Sequence, residues 1–366
     1  MQMVRAAVME KPGQQVVIKD FPKPKLEPGS ILLKTLLSEV CGTDVHLFHG
    51  RLAEVPYPII PGHINVGEIA AIAGEVKDVT GKPFTKGDIV TFLDVHNTCN
   101  ECWFCLVAKA STRCPQRKVY GITYSATEGL LGGWSEYIYL KPGTKVVRLP
   151  VGVAPQKFIG GGCGLPTAFH AVQRANITLG DTVVVQGSGP VGLNACILAR
   201  LAGALKVILV GGPALRLALG TDLGVDHVIN IEDTDPKQRL EQVLALTEGR
   251  GADVVIEATG VPQALNEGMS FTRDSGTYVV VGQYTDNGNL VLNPHLDINK
   301  KHLDIRGTWG IDFSHFYRSI QVMGRYAGQY PWERFISREY SLSQVNQALQ
   351  DVEAQRVIKA VINPWR

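Results

Sequence analysis

Short runs of alternating hydrophobic and polar residues fill the first part of the chain, up to about residue 165. Glycine and proline punctuate these runs throughout, which is typical of a mostly antiparallel, partly barrel-like β domain. The predicted strands of this part are residues 4–9, 31–40, 66–73, 88–93 and 137–140.

The pattern changes after residue 165 to apolar strand-like runs separated by helical stretches. A strand at 182–186, a glycine turn, a helical run to 201 and a strand at 206–210 together predict a βαβ unit. Further predicted strands are 228–231, 253–256, 278–281 and 303–305, with helices at 239–246 and 263–269 among those between them. We therefore expect a doubly wound parallel sheet of six strands.

The chain is then expected to return to the first domain through 313–326, 342–352 and a last strand at 357–362. At 366 residues the chain exceeds the length at which one hydrophobic core normally keeps growing. The expected organisation is α/β, with one domain at 1–164, a second at 165–308, and 309–366 rejoining the first.

Composition adds little to this picture but excludes some partners. The chain is 45% hydrophobic and 19% charged with a net charge of +2, which gives no reason to expect nucleic acid or an anionic membrane as a partner. No run of 18 apolar residues occurs, and residues 1–12 lack the pattern of a secretion signal. We expect a cytoplasmic protein that binds a small molecule.

Four of the seven cysteines lie within sixteen residues, in the loop 96–118. The order Cys99-x2-Cys102-x2-Cys105-x8-Cys114 has the spacing of metal ligands rather than of a secreted disulfide framework. Four thiolates close a tetrahedral zinc site and leave no open position. The loop is therefore predicted to hold a structural zinc ion.

A second set of metal ligands begins at Cys41-Gly42-Thr43-Asp44-Val45-His46, directly after the apolar run 31–40. A catalytic zinc needs three protein ligands and one position left for water or substrate. His63 lies on a Pro/Gly turn and Cys163 lies between two glycines. Cys41, His63 and Cys163 are the predicted ligands of an open zinc site, so two zinc ions are expected per chain.

The glycine turn 187–192 has the form Gly-x-Gly-x-x-Gly between a β-branched strand and a helix. In that context Gly187 makes the turn, Gly189 allows close approach of a pyrophosphate, and Gly192 lets the helix pack on the strand. The carboxylate that usually selects NAD is missing, because the next strand ends in Val210, Gly211, Gly212 and Pro213. No cation or hydroxyl stands at Gly212 or Pro213 for NADP either; NAD is slightly favoured and NADP stays open.

These motifs resemble, in order and spacing, those of the zinc-dependent medium-chain alcohol dehydrogenases, over about residues 3–364. The resemblance implies a GroES-like catalytic domain and a Rossmann domain, and reversible hydride transfer between an alcohol and NAD(P). It also implies a homodimer or homotetramer joined through the dinucleotide domains, with 290–292 as a candidate edge strand. Two departures are Ile64, where relatives carry Glu, and eight rather than seven residues between Cys105 and Cys114.

The resemblance also assigns roles to single residues. Thr43 resembles the hydroxyl that bonds the substrate oxygen, His46 ends a proton relay through the nicotinamide ribose, and Asp44 is a partner of the kind that orients a ligating imidazole. The residues expected at the cofactor are Thr167, Gly187, Gly189, Val191, Gly192, Gly211, Gly212, Arg216, Val281, Gly282 and Lys359, with Arg216 near the adenosine ribose and Lys359 at the pyrophosphate. Apolar walls from Phe48, Trp103, Trp134 and Trp309 would favour a medium-sized, secondary or cyclic alcohol over a polyol.

Two other functions remain open. A zinc-free enone or quinone reductase of the same superfamily would not need to keep Cys41, His63 and Cys163 together. A non-enzymatic zinc module would use the four-cysteine loop to bind a partner, and would need a basic, aromatic surface there. The loop supplies only a mildly basic one, through Lys109, Arg113, Arg117 and Lys118.

Overall fold

The computed structural model describes residues 2–366 and consists of two compact units. Among the described residues, the first unit comprises 2–162 and 312–366, and the second comprises 163–311. The boundaries expected from the sequence, 164 and 308, lie two and three residues from these. The division falls on the peptide bond between Gly162 and Cys163.

The strands, in chain order, are β1 (Met3–Val8), β2 (Val17–Pro22), β3 (Ile31–Val40), β4 (Asn65–Ile72), β5 (Ile89–Phe92), β6 (Val95–Asn97), β7 (Lys118–Val119), β8 (Tyr137–Leu140), β9 (Val146–Arg148), β10 (Thr182–Gln186), β11 (Lys206–Gly211), β12 (His227–Asn230), β13 (Ala252–Glu257), β14 (Thr272–Val280), β15 (Asp304–Gly307), β16 (Ile336–Tyr340) and β17 (Lys359–Ile362).

The α-helices are α1 (Gly42–Phe48), α2 (Trp103–Leu106), α3 (Pro155–Gly161), α4 (Gly164–Ala175), α5 (Pro190–Ala202), α6 (Ala214–Asp222), α7 (Pro236–Leu246), α8 (Gln263–Phe271), α9 (Phe313–Arg325) and α10 (Val345–Glu353). Short 3₁₀ turns occur at Ser111–Arg113, Ala126–Glu128, Trp332–Phe335 and Leu342–Gln344, and a π-helical turn at Pro294–Asn299. No helix among residues 2–366 is long and apolar enough to cross a membrane.

The first unit is built around β3, whose ten residues are nearly all buried. It pairs antiparallel with β4, β8 and β17 in a sheet of order β16-β17-β3-β4-β5-β9. Only β16 and β17 run parallel, so the predicted mostly antiparallel domain is confirmed. The register pairs Ser38 of β3 with Asn65 of β4, which brings the end of β3 beside the start of β4. Cys41 follows the first strand directly and His63 precedes the second.

The second unit contains a parallel sheet of order β12-β11-β10-β13-β14-β15. This is the 3-2-1-4-5-6 order of a doubly wound dinucleotide-binding fold, so the predicted six-stranded sheet is confirmed. Its central strands β10, β11 and β13 are mostly apolar and buried, as expected where helices cover both faces of a parallel sheet. Val183, Val184 and Val185 of the central strand β10 are fully buried.

The strand predicted at 290–292 is wrong, since this segment is irregular. Asn293 directly after it accepts hydrogen bonds from the backbone amides of His295 and Leu296 and so begins the turn Pro294–Asn299. Asn266 donates to the carbonyl of Val291. These local side-chain bonds compete with strand pairing, and the sheet ends at β15 instead.

Candidate metal and cofactor sites

The first two ligands of the open metal site lie on adjacent turns of the first unit. Cys41 precedes helix α1, and Asp44 in the first turn of that helix is completely buried. Its carboxylate accepts hydrogen bonds from the amides of Cys41, at 2.9 Å, and Gly62, at 3.4 Å. Burial raises the pKa of Asp44 well above its usual value, and the neighbouring Cys41 raises it further. One carboxyl group thus ties the Cys41 turn to the Gly62–His63 turn.

The role expected for Asp44 needs a correction. A partner that orients a ligating imidazole would bond the second ring nitrogen, but within residues 2–366 the buried Nδ1 of His63 has no hydrogen-bond partner. Asp44 instead positions the main chain on either side of the ligands. The reason is local, because the third residue of a helix reaches back most easily to the amide before its first turn.

The three predicted ligands of the open site come together. The Sγ atom of Cys41 lies 3.7 Å from Nε2 of His63, and the ligand atoms of Cys41, His63 and Cys163 all lie within 4.8 Å of one another. Ligand atoms around a tetrahedral zinc are about 3.3–3.8 Å apart, given bonds of about 2.0–2.3 Å. The group fits a zinc ion after a small contraction. Three ligands leave the fourth position for water or substrate.

The charges in this group also suit a metal. Burial by itself lowers the pKa of His63, but the Cys41 thiolate beside it, together with Asp44 and Asp94, raises that pKa to about 10. A proton on the metal-free site is therefore held between imidazole and thiolate. Zinc has to displace that proton when it binds, so occupancy of this site falls in acid.

The four cysteines of the loop form a second group whose Sγ atoms all lie within 4.8 Å of one another. The amides of Cys99 and Cys102 each donate to a cysteine sulfur at 3.3 Å. Amide donors of this kind favour thiolate, and the amide of Glu101 is the main cause of the lowered pKa of Cys99, about 7. The group has the chemistry and spacing of a closed Zn–S₄ site.

The extra residue between Cys105 and Cys114 is absorbed without disturbing this group. Helix α2 ends at Leu106, and Lys109 takes the left-handed conformation at φ +53° before the 3₁₀ turn Ser111–Arg113 begins. Glycine normally adopts that conformation at the lowest cost. Here a lysine does so, and the loop closes with eight residues between Cys105 and Cys114.

Two further polar groups lie on α1 close to the open site in sequence. Thr43 and His46 are both half-buried. Burial lowers the pKa of His46, and the charge of Arg51 lowers it further, against an opposite effect of Cys41. His46 is accordingly neutral at pH 7 and able to accept a proton.

In the second unit, the glycine turn before α5 has the geometry that its motif predicts. Gly187 has φ +102°, and a β-carbon there would lie 2.6 Å from the carbonyl oxygen of Ala258. A β-carbon at Gly192 would lie 1.7 Å from the Gly187 carbonyl oxygen. Nothing lies within 4 Å of the corresponding position at Gly189, which precedes the first turn of the helix. The middle glycine therefore faces open space, as an approaching pyrophosphate requires.

The end of β11 lies against this turn. The Ser188 hydroxyl donates to the Gly212 carbonyl at 2.8 Å, and a β-carbon at Gly211 would lie 2.6 Å from that hydroxyl oxygen. A carboxylate does lie nearby, because a β-carbon at Gly212 would be 3.5 Å from Cγ of Glu232. Sequence reasoning missed Glu232, which follows β12 rather than β11. Arg216 is half-buried on α6, and burial lowers its pKa.

The residues expected at the nicotinamide lie near two packed contacts of the second unit. The start of α4 packs on the start of α5, since a β-carbon at Gly164 would lie 2.8 Å from the Pro190 carbonyl. Thr167 and Val191, one turn and one residue further on, are half-buried. The other contact lies where the ends of β13 and β14 meet. It comprises Glu257, Thr259, Gly260, Val281 and Gly282.

Glu257 organises that second contact and was not expected from the sequence. It is fully buried, and its carboxylate accepts hydrogen bonds from the amides of Thr259, Gly260 and Gly282 at 2.7–3.0 Å. In the sequence, its position could have been noticed because it is an acidic residue directly after the apolar strand 253–256. Such a group needs internal donors because a buried carboxylate without them is costly.

Two predicted side chains lie elsewhere than expected. The ammonium of Lys359, expected at the pyrophosphate, is completely enclosed and bonds Oε1 of Glu39 in the first unit. Its charge is already paired, so this assignment is corrected. Trp134, expected in a substrate wall, is a fully buried core residue whose Nε1 donates to the Glu39 carbonyl.

The other two tryptophans remain at the surface. Trp103 is 63% exposed in the four-cysteine loop. Trp309 is 36% exposed and stacks on Tyr284 with ring centroids 5.8 Å apart. Phe48, at the end of α1, is half-buried.

Comparison with family models gives two matches. Residues 27–151 match the model described as alcohol dehydrogenase GroES-like domain, and residues 190–325 match the model described as zinc-binding dehydrogenase.

Known proteins are similar over nearly the whole chain. A 5-exo-hydroxycamphor dehydrogenase of Pseudomonas putida is 33% identical over 99% of both chains. The crystal structure of an alcohol dehydrogenase from Thermotoga maritima has a TM-score of 0.94 and 34% identity, covering 99% of this chain and 100% of that one. A putative zinc-binding dehydrogenase from Sinorhizobium meliloti bound to NADP has a TM-score of 0.85 and 25% identity over the full length of both.

Proposed function

The chain belongs to the zinc-dependent medium-chain alcohol dehydrogenase family, and we propose that it transfers a hydride reversibly between a secondary or cyclic alcohol and a nicotinamide cofactor. It is thus an oxidoreductase acting on CH–OH groups. The observation that carries the proposal is the three-ligand group of Cys41, His63 and Cys163, together with the half-buried Thr43 and His46, which lie just after Cys41 in the sequence. A zinc-free reductase would not need these three ligand atoms within 4.8 Å of one another.

Each protein group has one task in this reaction. Cys41, His63 and Cys163 would hold a zinc ion, which would supply the Lewis acidity that lowers the pKa of an alcohol in one direction and polarises a carbonyl in the other. Thr43 accepts the hydroxyl proton of the alcohol and hands it on. His46 receives that proton at the end of the relay.

His46 suits a base because its pKa is lowered from the ordinary value, first by burial and then by Arg51. It is therefore largely deprotonated at neutral pH and open to a proton. A base of this kind contributes about 10²–10⁴-fold in rate.

For the cofactor we favour NAD, with NADP as the competing choice. Glu232 supports NAD, because its side chain lies beside Gly212 at the end of β11. A carboxylate at that place hydrogen-bonds the ribose hydroxyls of NAD and repels the 2′-phosphate of NADP. The NADP found in the Sinorhizobium meliloti structure supports the alternative. The ratio of kcat/KM for NAD and NADP, in wild type and Glu232→Ala, decides between them; loss of NAD preference in the variant supports the role of Glu232.

The alcohol is proposed to be apolar and of medium size. The relative named for hydroxycamphor, a bicyclic secondary alcohol, is 33% identical, whereas a sorbitol dehydrogenase of Bacillus subtilis is 28% identical. The test is a panel of cyclic secondary, linear secondary, primary and polyol substrates, followed by the absorbance of the reduced nicotinamide. Turnover of cyclic or secondary alcohols supports the proposal. Turnover of sorbitol alone would refute the proposed apolar substrate and indicate a polyol instead. Reduction of enones alone would refute alcohol oxidation and indicate an enone reductase.

Two broader proposals concern assembly and location. We propose a homodimer or homotetramer that forms along the free edge of β15, where Ile305 is 40% exposed and Leu296, on the turn before β15, is 52% exposed. Light scattering tests the assembly. The cytoplasm is the proposed compartment, supported by six of the seven cysteines, which lie in two metal-ligand groups rather than in disulfide pairs.

A further inference from the structure

One buried carboxylate in the first unit adjoins all three segments that carry the ligands of the open metal site. Glu39 is 2% exposed on β3, two residues before Cys41. Its amide donates to the carbonyl of Ile64 at 3.0 Å, and Ile64 directly follows His63. Its side chain reaches Gly162, the residue before Cys163, since a β-carbon there would lie 2.1 Å from Oε2 of Glu39.

The partner of this carboxylate is equally enclosed. Lys359 donates to Oε1 of Glu39, and the two side chains are 0% and 1% exposed. The same hypothetical β-carbon at Gly162 would lie 2.2 Å from the Lys359 Nζ atom. Both members of the pair therefore lie directly against the backbone of Gly162, which only a residue without a side chain permits.

Ion pairs of this kind are rare in a core because taking two charges out of water is costly. Apolar residues of similar volume would fill the same space at lower cost. The pair is therefore better explained by what it holds than by the stability it adds. It holds the Gly162 backbone at a point where two strands, β3 and β17, also meet.

We propose that the Glu39–Lys359 pair positions the open metal site by holding the Gly162–Cys163 turn against β3, so that the Cys163 sulfur stays in reach of the ion. The inference rests on the proposed function, since it requires zinc at Cys41, His63 and Cys163. Glu39 and Lys359 act through the ligands and are positioning residues. The position after His63 offers no carboxylate for such a task, because it is Ile64.

The experiment measures zinc release from each site into a chromogenic chelator, together with thermal stability. Glu39→Gln keeps the shape of the side chain and removes its charge. We expect zinc to leave the open site about 10–100-fold faster, the range typical for lost support of metal ligands, and the four-cysteine site to release zinc at the wild-type rate. Gly162→Ala, which pushes a methyl group between the partners, should have the same site-selective effect.

A matched control separates positioning from ordinary stability. Glu267→Gln breaks the Arg239–Glu267 ion pair of the second unit, which bonds at 2.6 Å with side chains only 12% and 16% exposed. It should lower the melting temperature without faster zinc release. Equal release rates in Glu39→Gln and wild type, with a loss of stability like that of the control, would overturn the inference.

Two outcomes need separate treatment. If Glu39→Gln does not fold, the double variant Glu39→Leu/Lys359→Met decides, because it leaves no unpaired buried charge; faster release from it supports positioning, and wild-type release overturns it. If wild-type protein holds zinc only at the four cysteines, the proposed function itself fails. If the wild-type chain holds two zinc ions and the variants release zinc at the wild-type rate, only the positioning role of Glu39 and Lys359 is refuted and the proposed function stands.

Discussion

The glycine turn before α5 allows the dinucleotide site to be tested with two substitutions that differ only in where a methyl group is added. In Gly192→Ala the new carbon would lie 1.7 Å from the Gly187 carbonyl oxygen, so the helix must move away from the turn by more than 1 Å. Overpacking of this kind lowers the free energy of unfolding by about 1–3 kcal/mol, and the better helix propensity of alanine offsets at most about 1 kcal/mol of that loss. A net destabilisation of about 1–2 kcal/mol is expected.

Gly189→Ala adds its methyl group to open space, with nothing within 4 Å. Its effect on stability should be at most about 1 kcal/mol, because Gly189 is the N-cap residue of α5 and alanine is less favourable than glycine at that position. The methyl group nevertheless occupies the space in front of the helix amides, where the pyrophosphate would approach. The dissociation constant of the dinucleotide should rise at least tenfold, which corresponds to about 1.4 kcal/mol.

The assays are thermal unfolding and titration of NAD and NADP by the quenching of tryptophan fluorescence. Gly328→Ala is the control, because it adds a methyl group to open space in the first unit. Weak cofactor binding by Gly189→Ala with only a small loss in melting temperature would support the site. Wild-type affinity in Gly189→Ala would refute the assignment of the pyrophosphate to this turn, and an unchanged melting temperature of Gly192→Ala would refute the packing argument.

Four further predictions follow from the sites. His46→Ala should lower kcat/KM about 10²–10⁴-fold near neutral pH and recover partly in alkali, where hydroxide takes the proton; a flat loss across the pH–rate profile would exclude a role as base. Cys105→Ser should lose the zinc of the four-cysteine loop and lower the melting temperature while the open-site zinc remains; an unchanged zinc content would contradict the closed site. Ile305→Lys should shift light scattering toward the monomer, and an unchanged mass would remove β15 from the interface. The affinity of the open site for zinc should weaken progressively as pH falls below the pKa of about 10 of His63 in the metal-free site, because protons compete with zinc for the imidazole, with equilibrium dialysis as the assay; pH-independent affinity would contradict imidazole ligation.

Much of the fold followed from sequence because its strongest signals are local. The apolar strand 182–186, the glycine turn and the helix after it lie in one continuous segment, and the parallel sheet built on them is present. The two ligand groups were also predictable, since the chemistry of cysteine and histidine is specific and their spacing is short or flanked by glycine. The structure brings both groups together.

The errors concern residues whose role depends on distant partners. A lysine is normally expected at the surface, where it could meet a ligand. The pairing of β17 with β3 instead places Lys359 beside Glu39, and the sequence does not show this pairing. Glu232, the carboxylate proposed for the ribose, was not considered because it follows a different strand from the one that normally supplies that group. The segment 290–292 has β-forming residues, but Asn266 of α8 bonds the Val291 carbonyl and Asn293 begins a turn directly after the segment.

The zinc content of the purified chain, measured by elemental analysis in wild type and two cysteine variants, tests most directly whether Cys41, His63 and Cys163 form an open metal site. We expect two zinc ions per chain in wild type, and one in Cys163→Ala. Cys196→Ala, which removes a buried thiol outside both groups, should keep two. A Cys163→Ala protein that retains two zinc ions and full turnover of alcohols would show that the third ligand lies elsewhere and would contradict the proposed site.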